Sequence, residues 1–199
     1  RYLQQAGGQA NERFQALFLS DDVRFLNLYP AHPLDESRLL PQPHSWFVPK
    51  SALENKEATI YDLAVQARSW DEPAKPPKGD FFWRGEQAIQ LCRPAIQVVV
   101  HNASANRSRK REEDSQVYRY DALAPGQVFA GVILIEDHSL VVKLKGLLSA
   151  GPFVLGGSHT AGYGQVEIFN METQDDWPEY QPGETANPQT VTLTCLSDI

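Results

Sequence analysis

Apolar residues recur along the chain at helical spacing in two places. Near the start, Phe14, Leu17 and Phe18 share one helical face, and they predict a helix over residues 1–19 with a break at its glycine pair. Residues 138–148 place five aliphatic side chains on one helical face. Each predicted helix therefore has one apolar face to bury against a neighbouring layer.

Other segments alternate polar and apolar residues or are rich in β-branched and aromatic residues, as strands are. The predicted strands cover residues 23–29, 81–83, 95–101, 117–120, 127–135 and 165–169. We expect the strands 117–120 and 127–135 to lie on either side of a turn at Pro125 and Gly126. A short helix is predicted over residues 59–68.

Five prolines in residues 30–50 exclude a helix and most central strands from that segment. An ordered, extended chain is expected there, with exposed side chains at His44, Trp46 and Phe47. Composition predicts loops over residues 71–80 and 102–116.

The order of these elements predicts the fold class α+β. Antiparallel strands with helices on one face form a ferredoxin-like (RRM-like) sheet, here with a long Pro-rich insertion. The first strand of such a sheet would lie upstream of Arg1, so we expect it to be missing. Residues 190–196 alternate as a strand with nothing after them to pair with. Both ends are therefore expected to be cut from a longer polypeptide.

The net charge of −7 is unevenly distributed. Residues 146–199 hold seven acidic residues and no Lys or Arg, whereas residues 1–145 hold all 18 basic residues and 18 of the 25 acidic ones. The C-terminal quarter is therefore not expected to be the main phosphate-contacting surface. We expect neither a membrane helix nor a secretory signal, because no apolar run reaches the required length and residues 1–20 have no apolar central segment. Two cysteines without metal-ligand spacing indicate a reducing compartment, and we expect a cytoplasmic protein.

Residues 156–164 form a glycine-rich loop, GGSHTAGYG, between two apolar runs. Ordered glycine is unfavourable unless the backbone needs positive φ or close approach by a partner. Bare N–H groups and nearby hydroxyls suit RNA phosphates, so we expect RNA contacts from Gly156, Gly157, Ser158, His159, Thr160 and Tyr163. The alternative role is a tight connection that packs helix 138–148 against the sheet.

The segment RSRKR is the only dense positive cluster, and it supplies Arg107, Arg109, Lys110 and Arg111. Four cationic groups in five residues suit phosphate contacts from a mobile β-hairpin or loop. The alternative is a solvated tip, whose field the next three acidic residues reduce. A second surface with stacking aromatics is predicted from Arg24, Arg38 and Lys50, together with Trp46 and Phe47. Core or subunit packing is the alternative for Trp46.

The motif order resembles a known family. Residues 117–131, VYRYDALAPGQVFAG, then the helix, then the loop from Leu155 through Val166, resemble the RAMP superfamily of CRISPR-associated proteins. The earlier segments VRFLNLYP at 23–30 and RLLPQP at 38–43 are similar to the RAMP subunit of type III-D effector complexes. Many glycine loops of this family carry Arg or Lys, whereas residues 158–161 here are Ser-His-Thr-Ala.

The resemblance implies a ferredoxin-like, RNA-binding subunit that holds guide RNA (crRNA), at its repeat-derived end. Its partners would be the guide RNA, indirectly the target RNA, and other CRISPR effector subunits, with no cofactor, no metal and no membrane. Residues 1–172 would form a RAMP domain lacking its first strand. An acidic Pro-rich linker over 173–188 and the first strand of a following RAMP-like domain over 189–199 would complete the chain.

Two other functions stay open. The chain is an endoribonuclease if His159 or His101 acts as a general acid or base, because imidazole titrates near neutral pH. Alternatively, it is a chiefly structural subunit that docks a neighbour through the Pro-rich segment 30–50. The five histidines show no metal-binding spacing.

Overall fold

The computed structural model describes residues 12–85, 88–103, 116–158 and 161–175. The chain divides into two units. The split unit contains residues Arg1–Asn27 and Val132–Ile199, and the inserted unit contains Leu28–Gly131. Within the described residues the fold is α+β, with small antiparallel sheets and two α-helices.

The described elements follow the chain in a simple order. The split unit begins with α1 (Glu12–Phe18) and β1 (Val23–Phe25). The inserted unit then contributes β2 (Tyr29–Pro30), β3 (Leu40–Pro41), β4 (Trp46–Pro49), a 3₁₀ helix (Lys50–Ala52), β5 (Tyr61–Asp62), β6 (Ala74–Lys75), β7 (Phe81–Arg84), β8 (Ile89–Cys92), β9 (Ile96–Ala103), β10 (Gln116–Leu123) and β11 (Phe129–Ala130). The split unit ends with β12 (Ile133–Ile135), α2 (Ser139–Leu148), β13 (Phe153–Val154) and β14 (Gln165–Val166).

The core of the split unit is built by the two helices and the first strand. Leu17, Val23, Leu140 and Leu144 are buried together, and Ile133 packs against them. Leu140 and Leu144 lie one turn apart on α2, so the apolar stripe predicted for this helix is the stripe that is buried. The prediction of a helix at 138–148 is confirmed. The first predicted helix is confirmed over Glu12–Phe18, and residues 1–11 lie outside the described part of the chain.

Two antiparallel pairs form the sheets of the split unit, β1 with β12 and β13 with β14. The prediction of one strand over 127–135 is wrong. Its residues belong to β11, which pairs with β2 in the inserted unit, and to β12, which pairs with β1. The strand is interrupted at Gly131 and Val132, where the chain passes from the inserted unit to the split unit.

The inserted unit contains two three-stranded sheets, ordered β3-β7-β8 and β5-β4-β6, and the pairs β2–β11 and β9–β10. Aromatic side chains pack within it. The rings of Trp46 and Phe82 are 4.7 Å apart, and those of Tyr29 and Phe81 are 5.4 Å apart. Such tilted pairs stabilise a core beyond the burial of their surface.

Two predictions for this unit need correction. The helix predicted at 59–68 is wrong, because Tyr61 pairs with Phe47 and the Asp62 carboxylate accepts a hydrogen bond from the Ala64 N–H, which forms a turn. Trp46 is buried rather than exposed, and its Nε1–H donates to Asp62 Oδ2 at 3.3 Å. β4 is the middle strand of its sheet. The Pro-rich segment 30–50 therefore contributes a central strand, although its prolines were expected to exclude most central strands.

The strands predicted at 95–101 and 117–120 are confirmed, but their pairing differs from the prediction. They form the hairpin β9–β10, with eight opposed residue pairs from Ile96–Leu123 to Ala103–Gln116. The Gln127 side chain closes the base of this hairpin through hydrogen bonds to the backbone of Ala95 and Ala124. Residues 127–130 therefore leave the hairpin instead of pairing with β10.

In the described part of the chain, no helix has both the length and the apolar character needed to cross a membrane. Residues 176–199, which include most of the predicted linker and the predicted last strand, lie outside the described part. The division at residues 172 and 188 stays a prediction.

Candidate functional site

The dense basic cluster belongs to the connection between β9 and β10. Arg107, Arg109, Lys110 and Arg111 all fall within residues 104–115, which lie outside the described part of the chain. The structure does describe the two residues from which this connection starts and to which it returns, Ala103 and Gln116, as an opposed pair. In the sequence, the cluster therefore falls between the two described strands of the hairpin β9–β10.

Apolar side chains of the hairpin strand β9 are exposed to solvent. Ile96, Val98 and Val100 alternate along β9 and are each about half exposed or more. On the same face, Arg119 and Asp121 of β10 form a two-pronged ion pair, with distances of 2.9 and 3.3 Å. Because the hairpin is a sheet of only two strands, few described neighbours cover it.

The glycine-rich loop joins two strands rather than a helix and a strand. It runs from β13 to β14, and its described residues are 156–158 and 161–164, whereas His159 and Thr160 lie outside the described ranges. Positive φ angles occur at Gly156, Ser158, Gly162 and Gly164. Of the two reasons considered for ordered glycine, positive φ and close approach by a partner, the first therefore applies at Gly156, Gly162 and Gly164.

The two ends of this loop differ in their surroundings. A Cβ at Gly156 or Gly157 would meet no atom within 4 Å. A Cβ at Gly164 would overlap the Leu155 carbonyl oxygen, and the Gly164 carbonyl accepts the Leu155 N–H at 2.8 Å. The later glycine therefore serves packing, whereas the first two border open space. Ser158 and Tyr163 are half-buried.

Arg24 and Arg38 lie in different units and different surroundings. Arg24 is exposed on β1 and bonds Glu136 at 2.6 Å, while its neighbour Val23 is buried in the helix-side core. Alternation along the strand therefore places Arg24 on the face opposite the helices. Arg38 is only 8% exposed and lies 4.3 Å over the Tyr29 ring. This burial indicates that Arg38 packs within the inserted unit and is not part of an exposed surface.

One imidazole–carboxylate pair was not predicted from the sequence. His32 is buried, stacks parallel to Trp83 at 4.2 Å, and its Nδ1 lies 2.9 Å from Asp35 Oδ1. Hydrogen bonds from the Ser37 hydroxyl and backbone N–H lower the pKa of Asp35 to about 2. Ala31 and Arg38 form a β-bridge, and these contacts close the turn that lies between them. The pair therefore stabilises a turn.

The side chains of the two histidines predicted as catalytic candidates lie outside what the structure describes. His101 lies on β9, where only the backbone is described, and His159 falls outside the described residues. Among the residues that are described, no group of three or more His, Cys, Asp or Glu residues is arranged to hold a metal ion.

A second feature that the sequence did not predict is a cation–aromatic cluster after β5. The Arg68 guanidinium lies 3.8 Å over the Tyr61 ring and 5.1 Å from the Trp70 ring. In the structure, a turn at residues 63–65 lies between the two residues of this stacked pair.

No protein-family model matches the sequence, and no curated protein matches it. Any assignment of function therefore rests on these side-chain arrangements.

Proposed function

We propose that the chain is an RNA-binding subunit of a type III-D CRISPR interference complex. It holds the backbone of the guide RNA, at the repeat-derived end, as its resemblance to the RAMP superfamily implies. The observation that carries the RNA-binding part is the hairpin β9–β10, whose strands bracket the dense basic cluster of the chain.

The hairpin suits a phosphate grip for a physical reason. Eight opposed residue pairs order the strands up to Ala103 and Gln116, so the ends of the basic connection are held about 5 Å apart. The connection then offers four cationic side chains to one stretch of RNA. Each phosphate that is neutralised releases condensed counterions, which makes such binding strong at low salt and weak at high salt.

The split unit supports the RAMP-like part of the proposal. Its described elements run α1, β1, β12, α2, β13 and β14, and apart from the additional short strand β13 this is the order expected of a ferredoxin-like domain after its first strand. The inserted unit occupies the connection between β1 and β12, which form an antiparallel pair. Arg24 lies on the face of this pair that is opposite the helices, where RRM-like sheets bind RNA.

A salt titration tests the proposal. The double variant Arg109→Ala with Arg111→Ala removes two charges from the connection, and Lys56→Ala with Arg84→Ala removes two exposed charges elsewhere in the inserted unit. We expect the first variant to weaken guide-RNA binding and to flatten the plot of log affinity against log salt by about 0.7 for each phosphate that is no longer neutralised. The control variant should keep the wild-type slope.

An unchanged affinity and slope in the Arg109 and Arg111 variant would refute the phosphate grip. Cleavage of the bound RNA by the wild-type chain, abolished in His159→Ala or His101→Ala, would instead favour the endoribonuclease function. Thermal unfolding of all variants checks that the differences do not come from loss of structure.

A further inference from the structure

The segment that follows β5 folds back over its own aromatic residue. The Arg68 guanidinium stacks on the Tyr61 ring at 3.8 Å, and the Trp70 ring meets the Tyr61 ring edge-on at 5.3 Å. The guanidinium also lies 5.1 Å from the Trp70 ring. These three distances place Trp70 beside the guanidinium, so Trp70 does not cover the face opposite Tyr61. Arg68 nevertheless remains exposed.

This arrangement fixes a charged plane at the protein surface. A free arginine side chain loses much rotamer freedom when it binds a partner, whereas Arg68 is already oriented by Tyr61. One side of the guanidinium lies over the Tyr61 ring, and because Arg68 is exposed and Trp70 lies beside it, a second flat group can approach from the opposite side. Planar cations stack well on aromatic systems, including nucleobases.

A shallow cavity of about 270 Å³ adjoins this plane. Its walls combine apolar side chains, Ile60 and the strongly exposed Val65, with the polar groups of Asp62 and Gln66. Hydrogen bonds from Ser45, the Ala64 N–H and Trp46 lower the pKa of Asp62, so its carboxylate is ionised at neutral pH. An ionised carboxylate accepts hydrogen bonds and repels phosphate, which favours a base edge over the backbone at this site.

We propose that Tyr61, Arg68 and the adjoining cavity form a binding site for one nucleobase of single-stranded RNA, stacked on the outer face of the Arg68 guanidinium. The site rests on the proposed RNA-binding function and adds base contacts to the phosphate contacts of the hairpin. Sequence preference at this position would come from Asp62 and Gln66, with bases that carry an amino group favoured by the carboxylate.

The substitution Arg68→Lys separates stacking from charge, because lysine keeps the positive charge and loses the plane. Arg84→Lys, on an exposed arginine of β7, is the matched control. The probes are an oligoadenylate and an abasic ribose–phosphate chain of the same length. We expect Arg68→Lys to bind oligoadenylate roughly 5- to 150-fold more weakly than wild type, the range for one stacked base. On the abasic chain, wild type and both variants should bind equally.

Other results overturn the inference in distinguishable ways. Equal weakening of Arg68→Lys on both probes would show that Arg68 acts only through charge or structure. Equal affinity of the wild-type chain for the two probes would remove the base site and leave the hairpin proposal standing. Failure of the wild-type chain to bind either probe would overturn both proposals. Thermal unfolding of Arg68→Lys, compared with Arg84→Lys, identifies any loss of folded protein.

Discussion

Replacing Gly164 by alanine tests how the glycine-rich loop is held closed. Gly164 has φ of 78°, in the left-handed region, and its carbonyl accepts the Leu155 N–H beside the short pair β13–β14. An added Cβ would overlap the Leu155 carbonyl oxygen and lie 3.1 Å from the Leu155 carbonyl carbon. Both obstacles are backbone atoms, so no side-chain rotation relieves them.

The size of the effect follows from two costs. A non-glycine residue in the left-handed region costs about 1–2 kcal/mol. Forcing an extra carbon into occupied space costs about 1–3 kcal/mol more. We therefore expect Gly164→Ala to lower the free energy of unfolding of the split unit by roughly 2–5 kcal/mol, a large share of the ~5–15 kcal/mol of a typical domain.

Two neighbouring glycines provide graded controls. Gly156 has φ of 80° but open space around a Cβ, so Gly156→Ala should show the conformational cost alone, about 1–2 kcal/mol. Gly157 has open space and no positive φ, so Gly157→Ala should change stability by less than about 0.5 kcal/mol or raise it slightly. Urea unfolding gives the free energies, and hydrogen exchange of the Leu155 amide reports the opening of the loop itself.

The ranking of the three variants decides the outcome. If Gly164→Ala is no less stable than Gly156→Ala, the overlap with Leu155 does not occur in solution and the packing role fails. If Gly157→Ala is the most damaging, the part of the loop that borders open space is instead buried by something else.

Further predictions concern the two units separately. Leu144→Ala should cost about 2–5 kcal/mol in urea unfolding, because Leu144 is buried among Leu17, Val23 and Leu140, and an equal effect of Val142→Ala on the exposed side of α2 would contradict this core. Ser37→Ala should raise the pKa of Asp35 from about 2 toward 3.8, since it removes the hydroxyl hydrogen bond that lowers it most. Because the folded pKa lies below the unfolded value, Asp35 stabilises the protein above pH ~4 and loses this contribution as the pH falls toward ~2. Ser37→Ala should therefore reduce the acid sensitivity in that window, and an NMR titration in which the Asp35 pKa does not move would refute the assignment.

Local pattern was sufficient for the elements that have one clear periodicity. The apolar stripe of α2 and the strand β9 each required only residues within the element, and both were predicted from the sequence. For the glycine-rich loop the sequence left positive φ and close approach by a partner as alternatives, and the structure shows positive φ at three of its four glycines.

Pairing between distant segments was much harder to predict. The β-rich run at 127–135 has no internal sign that Ala130 and Ile133 belong to different units, because both halves are equally apolar. The region after Tyr61 has a composition compatible with a helix, and the pairing with Phe47 decides against it. The cation–aromatic site at Arg68 was missed for this reason, because it exists only after that turn has formed.

Short segments of sequence were enough to establish the α+β class, the helix at 138–148 and the position of the basic cluster between two strands. These properties depend on local periodicity, charge and backbone sterics, which a short segment carries alone. Long-range packing was needed to pair β9 with β10, to bury Trp46 and Arg38, and to stack Arg68 on Tyr61. Those outcomes depend on which distant segments pack against each other and exclude water, and the whole folded chain determines that packing.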